Sequence, residues 1–407
     1  MSSVEIEAWR ETEAATNLGH PAQCPYRFEM TPERGSFFEV RLARARRKLS
    51  GPDRRRLIAG AAFFGVMFVV GLVENTLFFR DAFGVSARST EQAFLWGAIP
   101  AFTMLLLYLP VPSVLDRFDP EPWWCLLLAF LWGAVVATGL SVRLLSWVPS
   151  GVEDLEFFRV VVLAPVVEEL LKGTAVIGVS YFLRREFDGI VDGIIYAMFT
   201  ALGFAAVENV AYYGRAALEG RDVYSQTFIL RGLISPFGHP LYTAMIGVGF
   251  GLRRESARRS VRIAAPIAGT LLAIMLHSVW NYVPRLGADV FVVSLVFWAA
   301  WIVAFTLIVF ALVIRKGRTI RRYLRDEVII GNLNEAELAM ITSAFGRLKS
   351  FFVKNGATRR RFIRIAARLA LAKWHVARAA RRSNKETFSM EFIGPLRSEL
   401  RELRARL

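Results

Sequence analysis

The stretch Ala164-Pro165-Val166-Val167-Glu168-Glu169-Leu170-Leu171-Lys172 sets two adjacent carboxylates and a lysine inside a run that otherwise reads as membrane-spanning. An ionisable side chain near a bilayer centre costs roughly 2.5 to 3.5 kcal/mol on insertion scales, so it persists where it is paired or has a function. On a helix, Lys172 lies four residues from Glu168 and three from Glu169, within reach of either carboxylate. Adjacent residues point about 100° apart, so the two glutamates address different sites, one for chemistry and one for orientation. Pro165 brings no backbone donor and leaves the carbonyl of Val161 free in an α-helical register, which loosens the helix beside the charges. An internal ion pair locking two helices together is the competing reading of this stretch alone.

The chain around it has 407 residues, 54% hydrophobic and 21% charged, the composition of a polytopic membrane protein. The net charge of +16 sits at the ends of apolar runs and in the C-terminal region, so it reads as topology and not as nucleic-acid binding. Two cysteines, Cys24 and Cys125, imply no disulfide framework, and no apolar core near Met1 suggests a cleavable signal. Residues 1–56 read as a cytoplasmic, largely disordered arm that turns basic from Arg41 to Arg56, with His20 and Cys24 an incidental pair.

The predicted fold is all-α, with eight spans at about 57–80, 93–111, 123–148, 156–183, 189–213, 227–252, 261–282 and 289–314. Starting from a cytoplasmic N-terminus, the inside loops collect Arg184, Arg185, Arg253, Arg254, Arg258 and Arg259, and both termini fall inside a cell membrane. Trp123, Trp124 and Trp147 mark interfaces of the third span. Residues 315–407 form a basic, helical cytoplasmic tail, most clearly amphipathic over Arg359–Arg382, with its basic face solvated or on anionic headgroups. His375 in this tail carries no predicted chemistry.

Three further spans hold polar groups. The fifth contains Glu208 and Asn209 near its predicted outer end, with Phe204 one turn before on the face of Glu208; a terminal glutamate of this kind could simply snorkel. The sixth contains Ser235-Pro-Phe-Gly-His-Pro240, which cannot form an unbroken helix around His239. Broken backbone at membrane depth is tolerated where it is buried in protein or lines a wet cavity, and it is also where an extended substrate could dock. The seventh ends with His277 and Asn281, one turn apart on one face. His277 lies about five residues, roughly 7–8 Å, from the outer end of its span, and Glu168, Glu208 and His239 fall at a similar level. A shared depth points to one site in the outer half of the bilayer. A proton-coupled transporter or channel would use the same groups, but spread along a path across the membrane. A scaffold whose polar residues only join helices is the third reading.

Taken in order, Glu168-Glu-x-x-Lys172 after Ala164-Pro165, Phe204-x-x-x-Glu208-Asn209, His239-Pro240 in a broken helix and His277-Ser-Val-Trp-Asn281 resemble the PrsW-type intramembrane proteases, distant relatives of the CAAX prenyl endopeptidases. The acidic loop Asp116-Arg-Phe-Asp-Pro-Glu-Pro122 matches as well, and the resemblance spans roughly Pro100 to Tyr282. It implies that residues 57–314 form a protease domain that hydrolyses a membrane-anchored protein, such as an anti-sigma factor, on the extracytoplasmic side. Two mechanisms fit. Without a metal, Glu168 activates water with help from Glu208, while His277 and Asn281 donate to the oxyanion. With zinc, Glu168, Glu208, His239 and His277 form the ligand shell, backed by Glu169 or Asn281, with Lys172 and Asn209 in support. The second motif ends in Glu208 where the CAAX enzymes have histidine, so their metal-free chemistry lacks its cationic polariser here.

Overall fold

The computed structural model describes residues 51–407 apart from 84–86, 116–117, 150–151, 184–185, 257, 344–345 and 381–389. The predicted N-terminal arm up to residue 50, His20, Cys24, Asp116, Arg117, Arg184 and Arg185 lie outside these. Among the described residues there is no strand. The helices are α1 (Gly51–Phe83), α2 (Ala87–Tyr108), α3 (Trp123–Leu145), α4 (residues 153–182), α5 (Ile190–Glu219), α6 (residues 221–234), α7 (Gly238–Glu255), α8 (Arg259–Tyr282), α9 (Ala288–Ile329), α10 (Glu335–Thr342), α11 (Gly356–Ala380) and α12 (Met390–Arg404).

Six of these are long and apolar enough to cross a membrane: α1, α2, α3, α5, α8 and α9. The other two predicted spans are the ones the polar residues interrupt. α4 passes through a π-helical turn at Arg159–Leu163 before the Glu168–Lys172 run, and the sixth predicted span divides at 235–237 into α6 and α7. Pro240 sits in the first turn of α7, where its missing N–H has no intrahelical partner to lose.

The bundle is built around α5. Its apolar window is 94% buried, and α3, α4 and α7 pack on it. Glycines permit this: a Cβ on Gly193 would stand 2.2 Å from the Gly247 carbonyl oxygen on α7, and one on Gly203 only 2.1 Å from the Phe130 carbonyl oxygen on α3. Small residues that let backbones touch are how helices associate in lipid, where burial of apolar surface supplies little drive. Asp192 accepts hydrogen bonds from the amides of Asp188 (2.7 Å) and Gly189 (3.1 Å), satisfying donors at the start of α5. The helix then runs on to Glu219, past its predicted end at 213, so Glu208 lies deeper than a snorkelling terminal residue would.

α9 has 42 residues, roughly 63 Å at 1.5 Å per residue, about twice the hydrocarbon thickness. Its second half carries Ile320 and Leu324 into a core shared with Leu338 and Ile341 of α10, Phe362, Ile363, Ala366 and Leu369 of α11, and Leu400 and Leu403 of α12. The apolar stripe of α11 is therefore spent on protein packing, leaving only its basic face for solvent or headgroups. Asp119 of the acidic loop pairs with Arg368 at 2.7 Å, and Glu121 accepts from the Tyr196 hydroxyl. His375 contacts Asp188 at 3.1 Å, a tie between α11 and the segment before α5.

Candidate active site

The π turn in α4 is the local device that opens the site. There the Ala164 amide bonds to Arg159 O, five residues back. The next amide in that register belongs to Pro165, which has no hydrogen to give, so the carbonyl of Val160 is left without a helical donor. The Asn281 amide of α8 fills the vacancy, donating to Val160 O at 2.9 Å. The wider register thus moves the orphan carbonyl from Val161, expected for an α-helix, to Val160. It also commits one Asn281 N–H to the backbone of α4.

One turn further, Glu169 and Lys172 are completely buried and Glu168 is 7% exposed. Glu169 is saturated. Its Oε1 accepts from Lys172 Nζ (2.7 Å) and His277 Nδ1 (3.1 Å), and its Oε2 accepts from the Thr243 hydroxyl (2.7 Å). Glu168 is held loosely, accepting one long 3.4 Å bond from Lys172. The adjacent carboxylates thus have unequal freedom.

The two histidines come from α7 and α8, and their tautomers follow from their partners. The Lys172 ammonium has donors only, so at 3.0 Å it donates to His239 Nδ1, and the ring proton sits on Nε2, which donates to Glu208 Oε2 at 2.9 Å. His277 donates from Nδ1 to Glu169, leaving Nε2 as a bare lone pair 3.9 Å from Glu168 Oε2. Each imidazole is backed by a carboxylate and turns its other nitrogen toward Glu168 or Lys172. The rings are 4.9 Å apart at nearly a right angle, and one ligating atom from each of Glu168, His239 and His277 lies within 4.8 Å of the others. Phe204 lies beneath, 4.0 Å from the Lys172 ammonium and 5.3 Å from the His239 ring.

Glu208 and Asn209 turn toward Arg231 in the π turn that ends α6. Arg231 pairs with Glu208 and donates to Asn209 Oδ1 at 2.7 Å, with its guanidinium over the Tyr212 ring. Glu208 therefore stands behind His239 and outside the three-residue group. Arg231 was not singled out in the sequence, although it lies inside the predicted sixth span and the rule that flags Glu168 applies equally to it. Thr243 and Tyr242 were missed as well; the Tyr242 ring stacks on His277 at 5.2 Å and 23°. Nothing in their local sequence separates them from ordinary helix-packing residues.

The set of two carboxylate-backed imidazoles and a carboxylate suits a divalent ion of the zinc type, and the bare His277 nitrogen is the feature that fits it best. Lys172 already brings one positive charge to Glu168 and His239, so an ion would compete with the ammonium for them.

The family model described as PrsW family intramembrane metalloprotease matches residues 121–313, which include every residue of this site. Protease PrsW of Clostridioides difficile (strain 630) is 31% identical over 172 residues, covering 41% of this chain and 70% of that protein. The Protease PrsW of Geobacillus kaustophilus (strain HTA426) is 24% identical over 53% of this chain and 87% of its own length, and that of Bacillus subtilis (strain 168) 26% identical over 41% and 73%. No solved structure matches the chain. The matched residues are the helices that enclose the buried carboxylates and histidines, and with a relative covered over more than two thirds of its length they identify the chain as a member of the PrsW family of intramembrane proteases.

Proposed function

We propose that the chain hydrolyses a peptide bond of a membrane-anchored protein, with Glu168 as the group that takes the proton from the attacking water. The observation that carries this reading is the meeting of Glu168, His239 and His277 from three separate helices, α4, α7 and α8, in one buried group. Glu168 is the weakly bonded member and so is free to hold a water and its proton. Glu169 fixes the His277 tautomer, and Glu208, itself paired with Arg231, which also donates to Asn209, fixes that of His239. Lys172 balances the negative charge of the adjacent carboxylates.

A divalent ion, when bound, would be held by Glu168, His239 and His277, and would polarise the scissile carbonyl and lower the pKa of a bound water. This ligand set differs from the one read in the sequence in using Glu208 as support for His239. The break at 235–237 beside His239 supports docking of an extended peptide, since unravelled backbone there meets the reacting groups. The concentration of these groups in one cluster favours hydrolysis over a relay path.

We place the cut toward the extracytoplasmic side: the arginine-rich inside loops favour cytoplasmic termini, and in that orientation His277 lies near the outer end of α8. A membrane-spanning anti-sigma factor is a substrate of the right kind. The test is co-expression with a single-span reporter that the wild-type enzyme cleaves. Glu168→Gln is expected to leave the protein inserted and folded while abolishing cleavage; cleavage at the wild-type rate by that variant would overturn the assignment.

A further inference from the structure

A hydrolase of this kind needs a hydrogen-bond donor for the carbonyl oxygen that becomes negative as water adds. Most donors around Glu168 are already engaged: Lys172 with Glu168, Glu169 and His239, His277 Nδ1 with Glu169, His239 Nε2 with Glu208, Arg231 with Glu208 and Asn209, and one N–H of Asn281 with Val160 O. Among the described residues, few buried side-chain polar atoms lack a partner, and of these only the Tyr242 hydroxyl belongs to a residue touching both site histidines. Tyr242 is 1% exposed, and its ring is wedged between His277 (5.2 Å), His239 (6.1 Å) and Trp298 (5.5 Å). Its side chain leans toward the start of α7, as helical side chains do, and places the hydroxyl oxygen 3.1 Å from where a Cβ on Gly238 would stand. That is the edge of the break where we place the substrate backbone. A buried phenol without a partner is destabilising, so an O–H left in this position is expected to serve a ligand.

Building on the protease reading, we propose that the Tyr242 hydroxyl donates to the carbonyl oxygen of the scissile peptide bond and to the oxyanion it becomes. The water oxygen bonds to the carbonyl carbon as the C=O π pair moves onto oxygen, and the water proton passes to Glu168. The oxyanion keeps the Tyr242 hydrogen bond. When the C=O bond re-forms, the C–N bond breaks and the amine leaves with the proton from Glu168. The phenol keeps its own proton throughout.

The experiment is Tyr242→Phe in the purified full chain in liposomes, with the cleaved single-span reporter as probe. It removes one oxygen and exposes no unpaired group, so the variant is expected to melt at or above the wild-type temperature. The expected result is a fall in kcat of about 100-fold with KM within about twofold. Wild-type kcat in Tyr242→Phe, or a loss of stability and a raised KM with kcat retained, overturns the inference. Glu168→Gln run alongside separates the two levels: an active Glu168→Gln removes the protease reading beneath it, whereas an inactive Glu168→Gln beside a fully active Tyr242→Phe removes only this proposal. A second readout uses 3-fluorotyrosine at position 242 and a peptide phosphinate as an oxyanion mimic. A fluorine shift on binding supports the contact, and binding without a shift contradicts it.

Discussion

Two of the carboxylates buried among the described residues, Glu327 and Glu168, are treated differently. Glu327, near the end of α9, is completely buried and its oxygens are fully engaged: Arg397 and Asn332 donate at 2.6–3.0 Å and Lys373 pairs with it as well. Glu168, buried to a similar degree, has one long bond to Lys172 and a bare imidazole nitrogen 3.9 Å away, and the phenol stacked on that imidazole has no hydrogen-bond partner. Buried charge is expensive unless completely satisfied, so a saturated cluster is an adequate account of itself as a structural joint. An unsaturated one needs another reason to exist. Saturation therefore separates the joint from the proposed reaction centre where burial and charge alone do not.

Lys172→Met attacks the contrast hardest. It leaves Glu169 buried with its main counter-charge gone, which costs about 3–5 kcal/mol and is read as a lowered melting temperature in detergent, together with lost cleavage. Glu327→Ala is also expected to lower stability, since Lys373 and Arg397 lose their partner, but to leave cleavage by the folded enzyme at the wild-type rate. Metal analysis sharpens the comparison next. If the site takes a divalent ion, Glu169→Gln, which disturbs the atom orienting His277, weakens its binding about 10- to 100-fold, and Glu327→Ala leaves it unchanged. Active enzyme purified without stoichiometric metal would point instead to the carboxylate mechanism.

Asn281→Ala is expected to cost about 1–3 kcal/mol by stranding the Val160 carbonyl in the π turn. If the residue only pins α8 to α4, kcat at low temperature stays near wild type. A loss of the size seen for a missing oxyanion donor would return Asn281 to the reaction.

The smallest effect lies at the contact between α11 and the residues before α5. Burial raises the Asp188 carboxyl, but the His375 contact and the charges of His375, Arg254 and Lys316 more than offset it and hold the group below its ordinary value. A carboxylate lowered on folding stabilises the fold above its unfolded pKa and loses that contribution as pH falls through its folded pKa. The melting temperature of wild type is therefore expected to approach that of Asp188→Asn as the pH drops below about 4, and to exceed it at neutral pH.

Fold class was legible because apolar run length and arginine placement are direct physical signals. The pairing of Lys172 with Glu168 and Glu169 was legible because it is local to one helix. The π register was not: it moves the orphan carbonyl by one residue through backbone geometry that Pro165 permits but does not announce. The unequal holding of the adjacent glutamates was not legible either, since it depends on Thr243 and His277 arriving from other helices. Arg231 is legible as a charge inside a predicted span, but its partners Glu208 and Asn209 come from another helix.

The most direct test of the contrast is cleavage of the single-span reporter by Glu168→Gln and Glu327→Gln, each normalised to folded protein. The account predicts that Glu168→Gln is lower by about 10²- to 10⁴-fold, the range of a lost general base, with Glu327→Gln at the wild-type rate. Comparable cleavage by the two variants, or loss only in Glu327→Gln, would contradict it.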